Sequence, residues 1–199
     1  RPIEMVLRGI SESGSELKLH AGQTLALRGN PERISLFMDQ LYALRSLESG
    51  SIQVSGLDLR DIRPDLLRRD VALVRHVEIL EQTLAENVTL SRPGISQEQL
   101  SLSLRIVGLE DRIRSLPQGI QTRLDIDGKP LTRTEAIRLC LARALAGSPR
   151  LLLVDGLLDG LSDVEISALI SSSALPDPQR IIIMATGRES LARSEEHTS

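Results

Sequence analysis

The feature that most restricts how this chain can fold is a pair of short strand-like segments near its end. Arg150 to Asp155 is apolar from Leu151 to Val154 and finishes in a carboxylate, and Ile181 to Ala185 is apolar throughout. A strand with apolar side chains at successive positions has no solvent face, so it must be covered on both sides. The helical pattern from Val164 to Ser172 separates the two. Strands of this kind alternating with helices predict a parallel sheet with helices packed over it.

The opening of the chain is β-rich, with strand-length apolar stretches at Ile3 to Ile10, Glu16 to Leu19 and Thr24 to Arg28. The third ends at Gly29. Ile34, Phe37, Met38, Leu41, Ala43 and Leu44 then recur at helical spacing and predict a helix from Ile34 to Leu47. Strand, tight turn and helix is the βα unit that carries phosphate sites. Ile52 to Val54 and Leu57 to Ile62 read as a hairpin around Ser55-Gly56, Pro64 to Arg69 as a helical turn, and Val71 to Val74 as a buried strand. From Thr83 to Gly147 the pattern is helical, with segments at Ser96 to Val107, Leu109 to Leu116 and Thr134 to Ala146. Pro117-Gln118-Gly119 and the Asp-rich turn from Asp125 to Pro130 break it. The expectation is a helical subdomain inserted into an α/β core.

With 199 residues, 41% of them hydrophobic, the chain can bury a proper core. Twenty-four Lys and Arg against 27 Asp and Glu give a net charge of -3. No chain-wide basic field exists to attract nucleic acid. One Phe, one Tyr and no Trp remove the stacking platforms of single-strand and RNA binders. The single Cys140 cannot form an intramolecular disulfide and suits a reducing compartment. Its apolar runs fall far short of the roughly 20 residues that span a bilayer, so a membrane role would need a partner. The chain begins at Arg1 without an initiator Met or a signal-peptide pattern, which is the expectation for a piece of something longer. Residues 193–199 lack apolar periodicity and resemble translated sequencing adapter, so they are expected to be a non-native tail, and His197 carries no functional weight.

Three ordered stretches carry a family resemblance. Residues 47–62, Leu-Glu-Ser-Gly-Ser-Ile-Gln-Val-Ser-Gly-Leu-Asp-Leu-Arg-Asp-Ile, resemble the segment after the phosphate-loop helix of ABC transporter nucleotide-binding domains. Thr83-Leu84-Ala85-Glu86-Asn87-Val88 resembles the exporter-type T-I-x-E-N-I run. Leu139 to Leu145 followed by Pro149 to Asp155 is similar to the signature helix running into the Walker B strand. The resemblance covers about Ile3 to Leu191. It implies an α/β fold: a P-loop NTPase-like parallel sheet core with an N-terminal antiparallel β part and an inserted helical subdomain. The implied domain is 1–192, with its core about 1–75 and 148–192 and the helical subdomain about 76–147. ATP and Mg²⁺ are the family's cofactors.

Every catalytic station of the family is altered at one or more of its positions. A working phosphate loop reads G-x-x-x-x-G-K-[ST], because glycine amides wrap the phosphates, Lys neutralises them and the hydroxyl holds Mg²⁺. Here the stretch is Gly29-Asn30-Pro31-Glu32-Arg33-Ile34-Ser35-Leu36. Only the first glycine is present, Ile34 stands in the Lys place and Ser35 in the hydroxyl place. Pro31 removes a donor and Glu32 brings a carboxylate toward the phosphates. Two like charges about 4 Å apart at an effective dielectric near 20 repel by roughly 4 kcal/mol, which Arg33 offsets in part. Asp155 fills the Walker B place and, with Ser35, would hold Mg²⁺ if nucleotide binds. Gly156 replaces the family's Glu, and Asp159 lies at its Ser register. An acid restored at Gly156 is expected to change stability by no more than roughly 1 kcal/mol.

The signature L-S-G-G-Q is replaced by Leu131-Thr132-Arg133-Thr134-Glu135, where Thr132 or Thr134 can cap the helix and Arg133 could meet a partner-bound phosphate. His76 stands at or beside the glutamine that reports on the γ-phosphate, and Gly187 at the switch His. No aromatic precedes Gly22 to stack on adenine, and His20 and Lys18 read as solvated strand residues. The resemblance thus implies a degenerate ATP-binding domain of an ABC exporter with little or no hydrolysis. Its expected partners are a transmembrane domain, fused or separate, and a second nucleotide-binding domain as homo- or heterodimer, with no nucleic acid. Its expected place is the cytoplasmic face of the cell membrane. The alternatives are a weak ATP binder with residual activity beside a partner, and a stand-alone interaction protein on the same scaffold.

Overall fold

The computed structural model describes residues 3–9, 16–90, 92, 94–171 and 179–185. Strands β1 (Glu4–Arg8), β2 (Leu17–His20) and β3 (Thr24–Leu27) are followed by helix α1 (Pro31–Leu41). Next come β4 (Ser51–Val54), β5 (Leu57–Asp58), a 3-10 turn at Leu59–Asp61, α2 (Pro64–Asp70) and β6 (Val71–Val74). The helices α3 (Leu84–Thr89), α4 (Gln97–Ile106), α5 (Glu110–Ser115) and α6 (Arg133–Ala146) form the middle of the chain. β7 (Leu151–Asp155), a 3-10 turn at Leu157–Gly160, α7 (Asp163–Ser171) and β8 (Ile181–Ala185) complete it.

These elements form two sheets. One is antiparallel in the order β2-β1-β4-β5, and the other has the order β3-β8-β7-β6, with β8 parallel to both β3 and β7. The expected α/β class with an antiparallel part is what the chain adopts. Among the described residues it gathers into two compact units. One runs to Leu73 and takes in Pro149–Asp155 and β8; the other holds Val74–Ser148 and the segment from Gly156 through α7.

In the first unit the core draws on both sheets and on α1. Leu151, Leu153, Ile181 and Ile183 meet Met38 and Leu41 of α1 and Met5, Leu7 and Ile52 of the antiparallel sheet. Leu152, Val154, Ile182 and Met184, on the opposite face, are equally buried, which is why both strands are apolar at every position before their ends. In the second unit α6 is packed by α3 and α4 and is buried on most of its surface, from Ala136 and Ile137 to Leu145 and Ala146. Asn87, fully buried, ties its surroundings together. Its Nδ2 donates to the carbonyls of Leu80 and Thr83, its Oδ1 accepts from Leu80 N, and Arg143 Nε donates to its carbonyl at 2.7 Å.

The element boundaries differ from the sequence expectation for local reasons. α1 starts at Pro31, three residues before Ile34, because Asn30 caps it and proline suits the first helical position. It ends at Leu41 rather than Leu47. Ala43 takes a left-handed φ of 57°, and Arg68 donates to the carbonyls of Tyr42 and Ala43. β5 stops at Asp58, whose side chain accepts from Arg60 N and starts the 3-10 turn. β1 ends at Arg8, and Ile10 lies outside the described residues.

Four helix starts carry a reciprocal box: Thr83 with Glu86, Ser96 with Gln99, Thr132 with Glu135, and Ser162 with Glu165. The carboxyls of Glu86 and Glu165 lie below their ordinary value of 4.5, held down first by the backbone N–H of Thr83 and of Ser162. A depressed folded-state value means the contribution is complete above about pH 4.5 and is lost as pH falls through the lower, folded-state value. Melting temperature is therefore expected to drop on acidification below pH 4.5. Glu86→Gln, which keeps the box without the proton equilibrium, should flatten that slope in acid-range thermal melts. Leu152→Ala, at a fully covered site, is expected to cost about 2–5 kcal/mol in denaturant unfolding, and wild type should unfold cooperatively without nucleotide.

Candidate nucleotide site

The turn between β3 and α1 is built from its backbone. Gly29 has a φ of 132°, a region that favours glycine, and turns the chain out of β3. Asn30 follows in an extended conformation, and its Oδ1 accepts the backbone N–H groups of Glu32 at 2.9 Å and Arg33 at 3.2 Å. Pro31 has no N–H to satisfy, and Glu32, Arg33 and Leu36 are exposed. Ile34 is half-buried and packs against the core of the first unit. One residue on, Ser35 Oγ donates to Asp155 Oδ2 at 2.8 Å, although the two are far apart in sequence. Asp155 ends β7 and is only 8% exposed, so the hydroxyl serves a carboxylate that water hardly reaches.

Gly156 has a φ of 71°, and a Cβ there would meet no heavy atom within 4 Å. Space is open, but the backbone is left-handed. This raises the expected cost of an acid at Gly156 from within roughly 1 kcal/mol: Gly156→Glu is expected to cost about 1–2 kcal/mol from backbone strain alone, measured by denaturant unfolding.

In the second unit, Leu131 is buried and Thr132, not Thr134, is the cap of α6. Thr132 Oγ1 accepts from Glu135 N, Glu135 Oε2 accepts from Thr132 N, and Arg112 Nε pairs with the same carboxylate at 3.2 Å. Arg133 is exposed and Thr134 half-buried. His76 is exposed, Val77 and Ile79 are half-buried, and Leu80 is 38% exposed. Asp159 sits exposed in the 3-10 turn after Gly156, and His20 and Lys18 are exposed on β2. Gly187 lies outside the described residues.

Three roles escape a reading by motif. Asn30 belongs to the stretch marked at the phosphate loop, but its role as cap is legible only in hindsight from Asn-Pro-Glu, a cap residue, a first-turn proline and a first-turn acid. The Arg112–Glu135 pair and the Asn87–Arg143 contacts have no sequence signal, since they join residues from separate elements.

The βα turn thus leads to a Ser–Asp pair at the end of a strand of the parallel sheet. Residues 13–157 match the family model described as ABC transporter, and the chain belongs to that family. It is 31% identical over 175 residues to the Multidrug resistance protein pgp-1 of Caenorhabditis elegans, covering 87% of this chain and 13% of that protein. It is 30% identical over 148 residues to the Alpha-hemolysin translocation ATP-binding protein HlyB of Escherichia coli O157:H7, covering 74% of this chain and 21% of that one. The chain thus spans a small part of the length of these curated relatives. A solved structure of a bacterial Atm1-family ABC exporter with ATP bound superimposes with a TM-score of 0.77 at 23% identity, over 96% of this chain and 35% of that one. That likeness establishes the fold, that of an ABC exporter nucleotide-binding domain.

Proposed function

We propose that this is a non-catalytic nucleotide-binding domain of an ABC exporter, which supplies a subunit interface and a docking surface while a partner domain hydrolyses ATP. The observation that carries the reading is Ile34. It occupies the place where the family's lysine neutralises phosphate, and its apolar side chain packs inward against the core instead of presenting a charge. Two hard oxygen donors, Ser35 and Asp155, suit Mg²⁺. The turn before them does not fit a triphosphate: the first-turn amides of Glu32 and Arg33 already have an acceptor, and Glu32 adds a negative charge. Gly156 offers no carboxylate to position water.

The expected partners are an exporter transmembrane domain, fused or separate, and a second nucleotide-binding domain, identical or not. Attachment at the cytoplasmic face is expected through that partner, and no helix of the described residues is long and apolar enough to cross a membrane. The partly exposed Val77, Ile79 and Leu80 offer apolar surface for docking it. The Ser35–Asp155 bond favours one second reading, weak Mg-ATP binding through Gly29, Ser35 and Asp155.

Isothermal titration decides between them. Mg-ATP affinity is expected to be weaker than about millimolar, a free energy of roughly -4 kcal/mol, and a phosphate-release assay should show no turnover. Micromolar binding would overturn the non-catalytic reading. Ile34→Lys alone should not restore tight binding, because Glu32 and the capped first turn remain. Cysteine placed at Glu78 is expected to crosslink to a co-expressed transmembrane partner.

A further inference from the structure

We propose that the outer edge of β3 is a peptide-binding site, which accepts an extended segment of polypeptide from outside this chain as an added strand and takes that segment's apolar side chains into the groove beside it. The surface belongs to the sheet rather than to the turn that follows β3, so it stands or falls independently of nucleotide binding.

Among the described residues β3 pairs with β8 alone and ends the order β3-β8-β7-β6. One hydrogen bond fixes which of its peptide groups face outward: Ile182 N donates to the Gln23 carbonyl at 3.0 Å. Alternate residues of a strand turn their peptide groups to alternate sides. Those of Gln23, Leu25 and Leu27 therefore face β8, and those of Thr24 and Ala26 face away from it. Each of these two offers one N–H and one C=O at the spacing a further strand requires. Exposure agrees with this arrangement. Every residue of β7 and β8 is buried, whereas all four of β3 are only half-buried. The strand Thr-Leu-Ala-Leu also lacks the devices that usually protect an edge, having no proline and no charged side chain.

Beside this edge lies a groove of about 610 Å³, a size that accepts several side chains of a ligand. Leu25 and Leu27 of β3 line it together with Leu17 of β2 and Leu36 and Phe37 of α1. Leu17 and Leu36 are each 40% exposed, apolar surface that gains by leaving water. The charged residues lining the groove are Arg28, Arg33 and Glu48, so cations outnumber the acid. These features select the occupant. Outward peptide groups two residues apart call for an extended backbone, which a helix or a lipid does not supply. The excess of arginine calls for a carboxylate near the end that lies beside Arg28. A second copy of this chain would bring Arg28 and Arg33 again instead of that carboxylate.

The probe is a fluorescein-labelled octapeptide of alternating threonine and valine ending in glutamate, titrated with the full chain and followed by fluorescence anisotropy. Saturable binding is expected. The same peptide with proline in place of its two central threonines loses two N–H donors and should bind at least about tenfold more weakly. Ala26→Pro removes an outward donor at an edge, where proline is tolerated, and should weaken binding of the first peptide by a similar factor. Leu36→Glu, on α1 and away from the ladder, should also weaken it at least about tenfold, and it decides the matter if Ala26→Pro does not fold. Absence of saturation at millimolar protein, equal binding of the two peptides, or unchanged binding by folded Leu36→Glu overturns the proposal. Amide hydrogen exchange reads the edge without any ligand: Thr24 and Ala26 should exchange at least about tenfold faster than Leu25 and Leu27, and should slow when the first peptide is added. Equal protection of the four amides in the chain alone means the edge is already occupied and overturns the proposal. Protection that appears with concentration-dependent dimerisation in sedimentation overturns it too, and assigns the edge to a second copy.

Discussion

The structure depends first on the pairing of β7 with β8, in register from Leu151 opposite Ile181 to Asp155 opposite Ala185. Every residue of both strands is buried, so neither face of the pair tolerates water. One face is covered by α1 and the antiparallel sheet, which brings Met38, Leu41, Met5 and Ile52 into the same cluster. The pairing also sets the position of Asp155. Because β7 ends there, the carboxylate stands at the strand end, where Ser35 of α1 reaches it. A packing constraint thus places the polar pair, and the polar pair needs no ligand to be satisfied.

The same economy of unpaired groups runs through the helices. The starts of α1, α3, α4, α6 and α7 each draw a side-chain acceptor onto the first-turn amides, Asn30 in the first case and Ser or Thr in the others. The first-turn amides of α1 and α6 are thus taken up by the side chains of Asn30 and Thr132. At α6 the box is reinforced by Arg112, which pairs with Glu135 and donates to the carbonyl of Pro130.

Much of the fold was legible because its signals are periodic. The apolar β7 and β8, the helical spacing of α4 and α6, and the breaks at Pro117-Gln118-Gly119 follow from rules that act over a few residues. The candidate motif positions were legible only as residue identities: Ser35 and Asp155, and separately Gly156 and the Leu131 to Glu135 stretch, could be marked from the family pattern. What α1 does at its ends was not legible from periodicity. Asn30 and Pro31 move its start upstream of the first apolar residue, and Ala43 with Arg68 stops it before the apolar pattern stops.

By itself the sequence determined which strands must be covered on both faces, the α/β class and which residues stand at the family's motif positions, because these depend on side-chain chemistry and short-range spacing. Only the tertiary structure decided that Ser35 meets Asp155, that Asn87 holds Arg143 and the carbonyls of Leu80 and Thr83, and that Ile34 faces the core. The Ser35–Asp155 and Asn87–Arg143 contacts join residues separated by long stretches of chain, and their formation depends on strand register and helix packing. Local pattern carries no record of such distances. The left-handed backbone at Gly156 belongs with them, since glycine permits that conformation without requiring it, and the turn out of β7 selects it.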